Sequence, residues 1–212
     1  MDVIAGECPI KKILIQDKRQ PNLTFFPLCS SQAKDSPTRE DVAKFVEVLE
    51  QEYDYDFILI DSPAGIEDGF ITATQPASEA IIVATPEVTS IRDADKVVGL
   101  LETSGIGNIQ LIVNRIRPGM VQRSDMMSID DVSDILGLSL LGVIPDSESI
   151  IVAANRGEPI TIGDEDLPEV GQAFDIIAKR LNGDTIDFMT FDETKSKGSK
   201  NIIKKLFKKI IK

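Results

Sequence analysis

Apolar segments of strand length alternate with amphipathic segments of helical length through most of this chain. Continuous apolar runs predict strands at residues 23–28, 57–61, 80–85, 109–113 and 140–144. Apolar residues at helical spacing predict helices at 38–52, 90–102, 128–136, 148–155 and 167–181. The first three of these helices begin at Thr38, Ser90 and Ser128, whose hydroxyl groups suit a helix N-cap. We therefore expect an α/β fold with a mostly parallel sheet and helices on both of its faces.

Charge is divided unevenly between the last 18 residues and the rest of the chain. There are 23 basic and 35 acidic side chains in all. Eight lysines lie between Lys195 and Lys212, where there is no acid, so the other residues carry 15 basic and 35 acidic side chains. An acidic body repels nucleic-acid phosphates, which argues against a nucleic-acid partner. A basic end attracts anionic lipid, at about 1 kcal/mol per lysine near the surface.

Residues 201–212 divide into an apolar and a basic face when they are placed on a helix. The apolar half holds Ile202, Ile203, Leu206, Phe207, Ile210 and Ile211, and the basic half holds Lys204, Lys205, Lys208, Lys209 and Lys212. This pattern is typical of a helix that lies in an anionic membrane surface; the alternative is a helix docked on its own domain. Twelve helical residues are about 18 Å long, too short to cross a bilayer. We expect a folded domain at 1–182, a flexible linker at 183–200 and a membrane-targeting helix at 201–212.

Several classes of protein are excluded or disfavoured by composition. Residues 1–10 contain Asp2 and Glu7 and have no hydrophobic signal core, so secretion is not expected. Cys8 and Cys29 are isolated, which favours two ordinary thiols in a reducing compartment. The chain has no His, which excludes histidine-based catalysis and His-ligated metal sites.

Polar residues follow three of the predicted strands, where ligands of parallel sheets collect. Asp61 comes directly after a buried run and Gly65 four residues later, which suits a magnesium-side carboxylate and a close backbone approach to phosphate. Asn114 could pair with the edge of a base, since its amide is both donor and acceptor. Pro145 and Asp146 could wall a ring pocket. Each of these motifs alone is equally compatible with an ordinary turn.

Together, several segments resemble the MinD family, the membrane ATPases that place division sites in bacteria and plastids. The segments are Asp61-Ser62-Pro63-Ala64-Gly65-Ile66-Glu67, Ser90-Ile91-Arg92-Asp93-Ala94-Asp95-Lys96, Asn114-Arg115-Ile116-Arg117-Pro118, Asp125-Met126-Met127-Ser128, Leu141-Gly142-Val143-Ile144-Pro145 and Asn155-Arg156-Gly157-Glu158-Pro159. The third and fourth are similar to the plastid and cyanobacterial branch, and the basic end is similar to the family's membrane-targeting sequence. The resemblance implies a P-loop NTPase fold.

The resemblance also implies cofactors, partners and roles for individual residues. ATP and Mg would bind with Asp61 as the catalytic, magnesium-side carboxylate acting through water, Gly65 as the γ-phosphate sensor and Asn114 as the adenine reader. Arg115, Pro145 and Asp146 would lie beside the base, and Arg92, Asp93 and Asp95 would face a dimer mate or regulator. The family pattern predicts an ATP-dependent homodimer, MinE-like and MinC-like partners, and a peripheral membrane protein of the cytoplasm or plastid stroma.

One element of the family pattern is missing from the sequence. MinD proteins open with a phosphate loop of the Lys-Gly-Gly-x-Gly-Lys-Thr type, whereas residues 1–8 resemble a stretch downstream of it. We expect the chain as given to show no significant ATPase activity and little ATP affinity, because that loop cradles the phosphates. Met1 is either an internal methionine of a longer protein or the start of a shortened relative. The alternatives to a MinD-like ATPase are a non-enzymatic membrane scaffold and a ParA-like DNA partitioning ATPase, which the acidic body argues against.

Overall fold

The computed structural model describes residues 9–27, 37–63, 65–162 and 167–189. The contacts between residues divide the chain into two compact units. The first unit lies within Met1–Glu79 and Leu100–Gly107, and the second lies within Ala80–Gly99 and Asn108–Lys212.

The first unit is built around one long helix. Its elements are a 3-10 turn at Ile10–Lys12, β1 at Ile15–Gln16, β2 at Thr24–Phe25, α1 at Arg39–Glu52 and α2 at Asp68–Thr74. A capping box starts α1, because Thr38 Oγ1 accepts from the Asp41 amide at 3.2 Å while the Thr38 amide donates to the Asp41 carboxylate at 3.0 Å. The helix buries Val42, Phe45, Val46 and Leu49. Phe26 stacks on Phe45 with ring centroids 4.0 Å apart, which ties the end of β2 to α1.

Two predicted strands of this unit are wrong in extent or in kind. The expected strand at 23–28 is reduced to Thr24–Phe25, which pairs antiparallel with Ile15–Gln16. The expected buried strand at 57–61 has no regular secondary structure, and Phe57 and Leu59 are 49% and 77% exposed. An apolar run becomes a strand only when a neighbour pairs with its backbone, and no such ladder forms at 57–61 in the described part of the chain.

The second unit carries a three-stranded sheet. Its elements are β3 at Glu79–Ala84, α3 at Val88–Thr103, β4 at Asn108–Ile116, α4 at Pro118–Gln122, α5 at Ile129–Leu136, β5 at Ser139–Pro145, α6 at Glu148–Arg156 and α7 at Glu169–Leu181. The strand order is β3-β4-β5, and β4 and β5 are parallel. The mostly parallel α/β fold predicted from the sequence is confirmed.

The core of the second unit lies between β4, β5 and α7. It is formed by Ile112, Leu141, Ile144, Val170 and Ile177. At Gly142 the helix comes very close to the strand: a Cβ added there would lie 2.1 Å from Ile177 Cγ1. Only glycine permits this separation, since carbon atoms pack at about 3.5–4.0 Å.

Helix boundaries agree with the sequence analysis except at α3. Ser128 caps α5 through a capping box with Asp131, as its position predicted. Ser90 does not cap α3, which begins two residues earlier; instead its Oγ accepts from the Thr85 amide at 3.0 Å. The short helices α2 and α4 were not predicted. None of the described helices is long and apolar enough to cross a membrane.

Candidate functional site

The carboxyl ends of β4 and β5 meet at an irregular point in the ladder. Val113 lies opposite Val143, and the next pair is Ile116 opposite Pro145, so β4 uses one residue more than β5. The extra length is taken up by Asn114 and Arg115, and Arg115 has a left-handed backbone with φ of 58°. Bulges and left-handed non-glycine residues concentrate at functional sites. Asn114, predicted to follow a strand, therefore lies in a bulge near the end of β4, where its side chain is half-buried.

Asp146, directly after β5, joins this bulge to its own strand end. Its amide donates to the Ile116 carbonyl at 3.0 Å. Arg115 Nε donates to Asp146 Oδ1 at 3.2 Å, and Arg117 Nε donates to Oδ2 at 2.6 Å. Two guanidinium groups from β4 and the residue after it therefore hold one carboxylate from β5, and Pro145 beside it is buried.

The two arginines also decide the protonation of Asp146. Partial burial raises the pKa of this carboxyl, but the hydrogen bonds and positive charges of Arg117 and Arg115 outweigh it and hold the pKa below its ordinary value. Asp146 is therefore ionised at neutral pH. It keeps acceptor capacity for a further donor, because a carboxylate has about four lone-pair sites.

A cavity of about 780 Å³ lies beside the two arginines. It is lined by Pro86, Glu87, Val88, Arg115, Arg117, Met120, Val121, Ser124, Asp125, Met126, Met127, Ser128 and Asp131. Both described non-glycine residues with left-handed backbones, Arg115 and Ser124, line it. Its wall combines methionine side chains with charges of both signs, which is typical of a pocket that orients a ligand with a few polar groups. Of the predicted base-side residues, only Arg115 lines this cavity.

Asp61 and Gly65 belong to the first unit. The Asp61 side chain is exposed, and Gly65 has φ of 99°, a conformation that favours glycine. Within the described ranges, no three Cys, Asp or Glu side chains are grouped so as to hold a metal ion. A lone carboxylate still suits Mg²⁺, which commonly binds one or two carboxylates and completes its shell with phosphate oxygens and water.

Helix α3 presents the predicted partner residues to solvent. Arg92, Asp93 and Asp95 are all exposed, while Ile91, Ala94 and Val98 on the opposite side are buried. Lys96 Nζ lies 3.1 Å from Asp93 Oδ1, one helical turn away. An exposed pair of this kind contributes little to stability, so these charges are free to serve recognition. Residues 201–212, predicted to bind membrane, lie outside the described residues.

Sequence analysis missed Arg117 as a partner of Asp146, and it missed the cavity. The i, i+2 spacing of Arg115 and Arg117 was a usable signal, because alternate residues of an extended strand share a face. The acid between them is 29 residues from Arg117, a separation that no local pattern reveals. The left-handed backbone of Ser124 and the methionines of the cavity had no local signal at all.

Comparisons with known proteins give a consistent result. A ParA family model, described as the NUBPL iron-transfer P-loop NTPase, matches residues 38–182. The chain is 54% identical to a candidate septum site-determining protein MinD of Emiliania huxleyi, over 100% of this chain and 76% of that protein.

Solved structures with the same fold agree with this result. The MinC:MinD cell division protein complex of Aquifex aeolicus contains a chain that is 41% identical, with a TM-score of 0.79 over 90% of this chain and 75% of that one. The MinD of Pyrococcus horikoshii, solved with Mg-ADP, is 25% identical, with a TM-score of 0.71 over 85% of this chain and 72% of that one.

Proposed function

Because the chain belongs to the MinD family of septum site-determining proteins, within the ParA group of P-loop NTPases, we propose that it regulates division-site placement from a membrane surface under the control of ATP. The observation that carries the nucleotide part of this proposal is the bulge at Asn114 and Arg115, held to Asp146 at the carboxyl end of a parallel sheet. Ligands of open α/β sheets bind at this edge.

The groups at the bulge have the hydrogen-bonding capacity that an adenine base needs. The Asn114 amide offers an acceptor and two donors, and the ionised Asp146 retains acceptor sites for an exocyclic amine. Arg115 and Arg117 would keep Asp146 ionised and fixed in place. We assign Asn114 as the adenine reader, with Arg115, Pro145 and Asp146 supporting that position.

On the phosphate side we assign Asp61 as the carboxylate that holds a magnesium-bound water, and Gly65 as the backbone donor to the γ-phosphate. Mg²⁺ supplies charge neutralisation of the phosphates when it is bound. The MinD of Pyrococcus horikoshii was solved with Mg-ADP, which supports the same pair of cofactors here. The phosphate cradle itself belongs to the loop that the printed sequence does not contain, so tests of turnover need a form extended with it.

The exposed charges on α3 are our candidate contact for a dimer mate or regulator. The Aquifex aeolicus structure contains MinC bound to MinD, which supports a MinC-like partner; a MinE-like partner and ATP-dependent self-association are extensions of the same proposal. In the form extended with the phosphate loop and with ATP present, Asp93→Lys should reduce regulator capture without changing the melting temperature. Normal capture and normal dimerisation by this variant would return the α3 face to the class of ordinary solvated surface.

The basic segment at 201–212 is our candidate membrane anchor. One short amphipathic helix binds weakly, and two helices joined in a dimer gain avidity, so dimerisation would control attachment. The protein would then be divided between a peripheral membrane pool and a pool in the cytoplasm or plastid stroma. A membrane scaffold without nucleotide control is the second candidate function.

The proposal is tested by nucleotide binding in a matched pair of asparagine variants. Asn114→Ala should weaken fluorescent-ATP binding about tenfold in the form extended with the family phosphate loop, the loss of roughly one buried hydrogen bond. Asn108→Ala, an exposed change at the other end of β4, should leave binding unchanged. Equal affinities for the two variants would contradict the base site. Lipid binding of the extended form that is indifferent to ATP would favour the scaffold.

A further inference from the structure

One guanidinium group collects the end of α7, the start of β5 and the chain beyond the helix. Arg180 Nε donates to the Leu141 carbonyl at 2.9 Å, and its Nη2 donates to the Leu140 carbonyl at 3.2 Å. Its Nη1 donates to the Ile186 carbonyl at 2.5 Å. The Arg180 Cζ also lies 4.0 Å from the centre of the Phe188 ring, a cation–π contact. The side chain is half-buried, where such bonds are stronger than they are in water.

These contacts hold a segment that has little else to hold it. Helix α7 ends at Leu181, and residues 184–189 have no regular secondary structure. Among the described residues, every polar contact made by 185–189 runs to Arg180. The contacts on the other side reach 39 and 40 residues back along the chain, to the first half of β5. Arg180 therefore fixes the path of the chain after α7.

The neighbouring lysine shows that this is more than a helix end effect. Cations in the last turn of any helix are favoured by the helix dipole, and both Lys179 and Arg180 lie in that turn. Lys179 Nζ bonds only to Asp175 Oδ2, at 2.7 Å, on the helix's own surface. Arg180 alone of the two connects α7 to another strand and to residues 186 and 188.

We propose that Arg180 is a positioning residue for membrane attachment: it anchors the chain at Ile186 and Phe188 and so sets where the tether to the basic segment 201–212 begins. This inference rests on the proposed membrane function. A linker over 183–200 would have 18 residues, whereas an anchor at Phe188 leaves 12, at 189–200. The root-mean-square length of a flexible tether grows as the square root of residue number, so loss of the anchor lengthens it by about a fifth.

The anchor is remote from the candidate base site, which allows a clean test. Leu141 and Asp146 are five residues apart along β5, about 16 Å at strand spacing. Arg180→Met removes the guanidinium but keeps an apolar stem against the core, while Phe188→Leu removes only the ring contact. Lys179→Met is the matched control, since it deletes the adjacent charge and leaves the anchor contacts in place. Melting temperatures identify any variant that fails to fold.

The first measurement is amide hydrogen exchange of residues 184–189 in the full 212-residue chain. Exchange should become faster in Arg180→Met and in Phe188→Leu and should stay unchanged in Lys179→Met. Unchanged exchange in folded Arg180→Met would overturn the anchor, and this result does not depend on any lipid.

The second measurement is energy transfer from a dye on Ser149→Cys, with Cys8 and Cys29 replaced by serine, to acceptor lipid in phosphatidylglycerol-containing vesicles. Transfer should fall in Arg180→Met and not in Lys179→Met. Deleting residues 189–194 from Arg180→Met returns the tether to 12 residues and should restore transfer, which a merely structural role would not do. Unchanged transfer alongside faster exchange would overturn the tether role. Failure of the wild-type chain to bind vesicles would overturn it together with the membrane function, and the exchange result would tell the two failures apart.

Discussion

Gly142 limits how closely α7 can lie on β5. There is no room for a β-carbon, because it would lie 2.1 Å from Ile177 Cγ1 and 2.8 Å from Ile177 Cδ1. Gly99, in the middle of α3, is the opposite case: nothing lies within 4 Å of an added Cβ. The same substitution should therefore have opposite effects at the two sites.

We expect Gly142→Ala to destabilise the protein by about 1–3 kcal/mol through overpacking against Ile177. Gly99→Ala should stabilise it by up to about 1 kcal/mol, since alanine is the better helix former. Thermal melting of the two variants against the wild-type chain measures both effects. A shift of the same sign for both would show that Ile177 moves aside easily and that Gly142 is not required for packing.

What could be predicted for single residues depended on how far their partners are along the chain. The caps at Thr38 and Ser128 were predictable because each partner acid is three residues away. The pairing of Arg117 with Asp146 was not, since the two residues meet only once β4 and β5 lie side by side. Ser90 had the right chemistry for a cap, but the helix began before it and its hydroxyl was taken by Thr85.

At the scale of elements, the sequence predicted the helices of the second unit better than the strands of the first. A helix satisfies its backbone within its own segment, so periodicity and caps are sufficient signals. A strand needs a neighbour, and the apolar run at 57–61 forms no ladder in the described part of the chain. The apolar pattern of that segment was correctly recognised, but a pattern cannot supply a pairing partner.

The capping box of α5 gives a prediction at this scale. Ser128→Ala should lower the melting temperature by about 2–4 °C, the effect of a lost N-cap in a chain of this size. Ser133→Ala, inside the same helix, should leave it unchanged or raise it slightly, because alanine is favoured in helix interiors.

The penalty of Ser128→Ala should also depend on pH. Hydrogen bonds from the Ser128 side chain and amide lower the pKa of Asp131. A lowered carboxyl pKa means that the contribution is present above the ordinary value and is lost as pH falls through the lowered one. The gap between wild-type and Ser128→Ala melting temperatures should thus narrow below about pH 4. A gap that stays constant down to pH 2.5 would contradict the role of Asp131.

The basic segment at 201–212 gives a second prediction for a single element. Phe207→Glu should release the chain from anionic vesicles at low salt, because it places a charge in the middle of the apolar face. Phe207→Leu keeps that face apolar and should bind as the wild-type chain does. Co-sedimentation measures both variants, and retention of the glutamate variant would favour a helix docked on its own domain.

At the scale of the whole molecule, nucleotide turnover needs groups that the local sequence supplies only in part. In the form extended with the family phosphate loop, we expect ATP hydrolysis that Asp61→Ala abolishes, through loss of the magnesium-side carboxylate. Glu67→Ala, an exposed acid six residues later, is the matched control and should keep turnover. Phosphate release measures both. Turnover by the 212-residue chain that depends on Asp61 would show that the cradle is not needed.

The dependence of α7 on β5 also has a consequence for the order of events during synthesis. A ribosome adds about 5–20 residues per second, so about 1–4 s separate the completion of α7 at Leu181 from the first residue of the basic segment at 201. Packing of a finished helix on a formed strand needs far less time. Nascent chains arrested at residue 190 should therefore already resist protease in the second unit, whereas digestion at the rate of an unfolded chain would contradict this order. Lipid would then meet a polypeptide whose sheet is closed, and a growing chain would not be drawn to a membrane before it can fold.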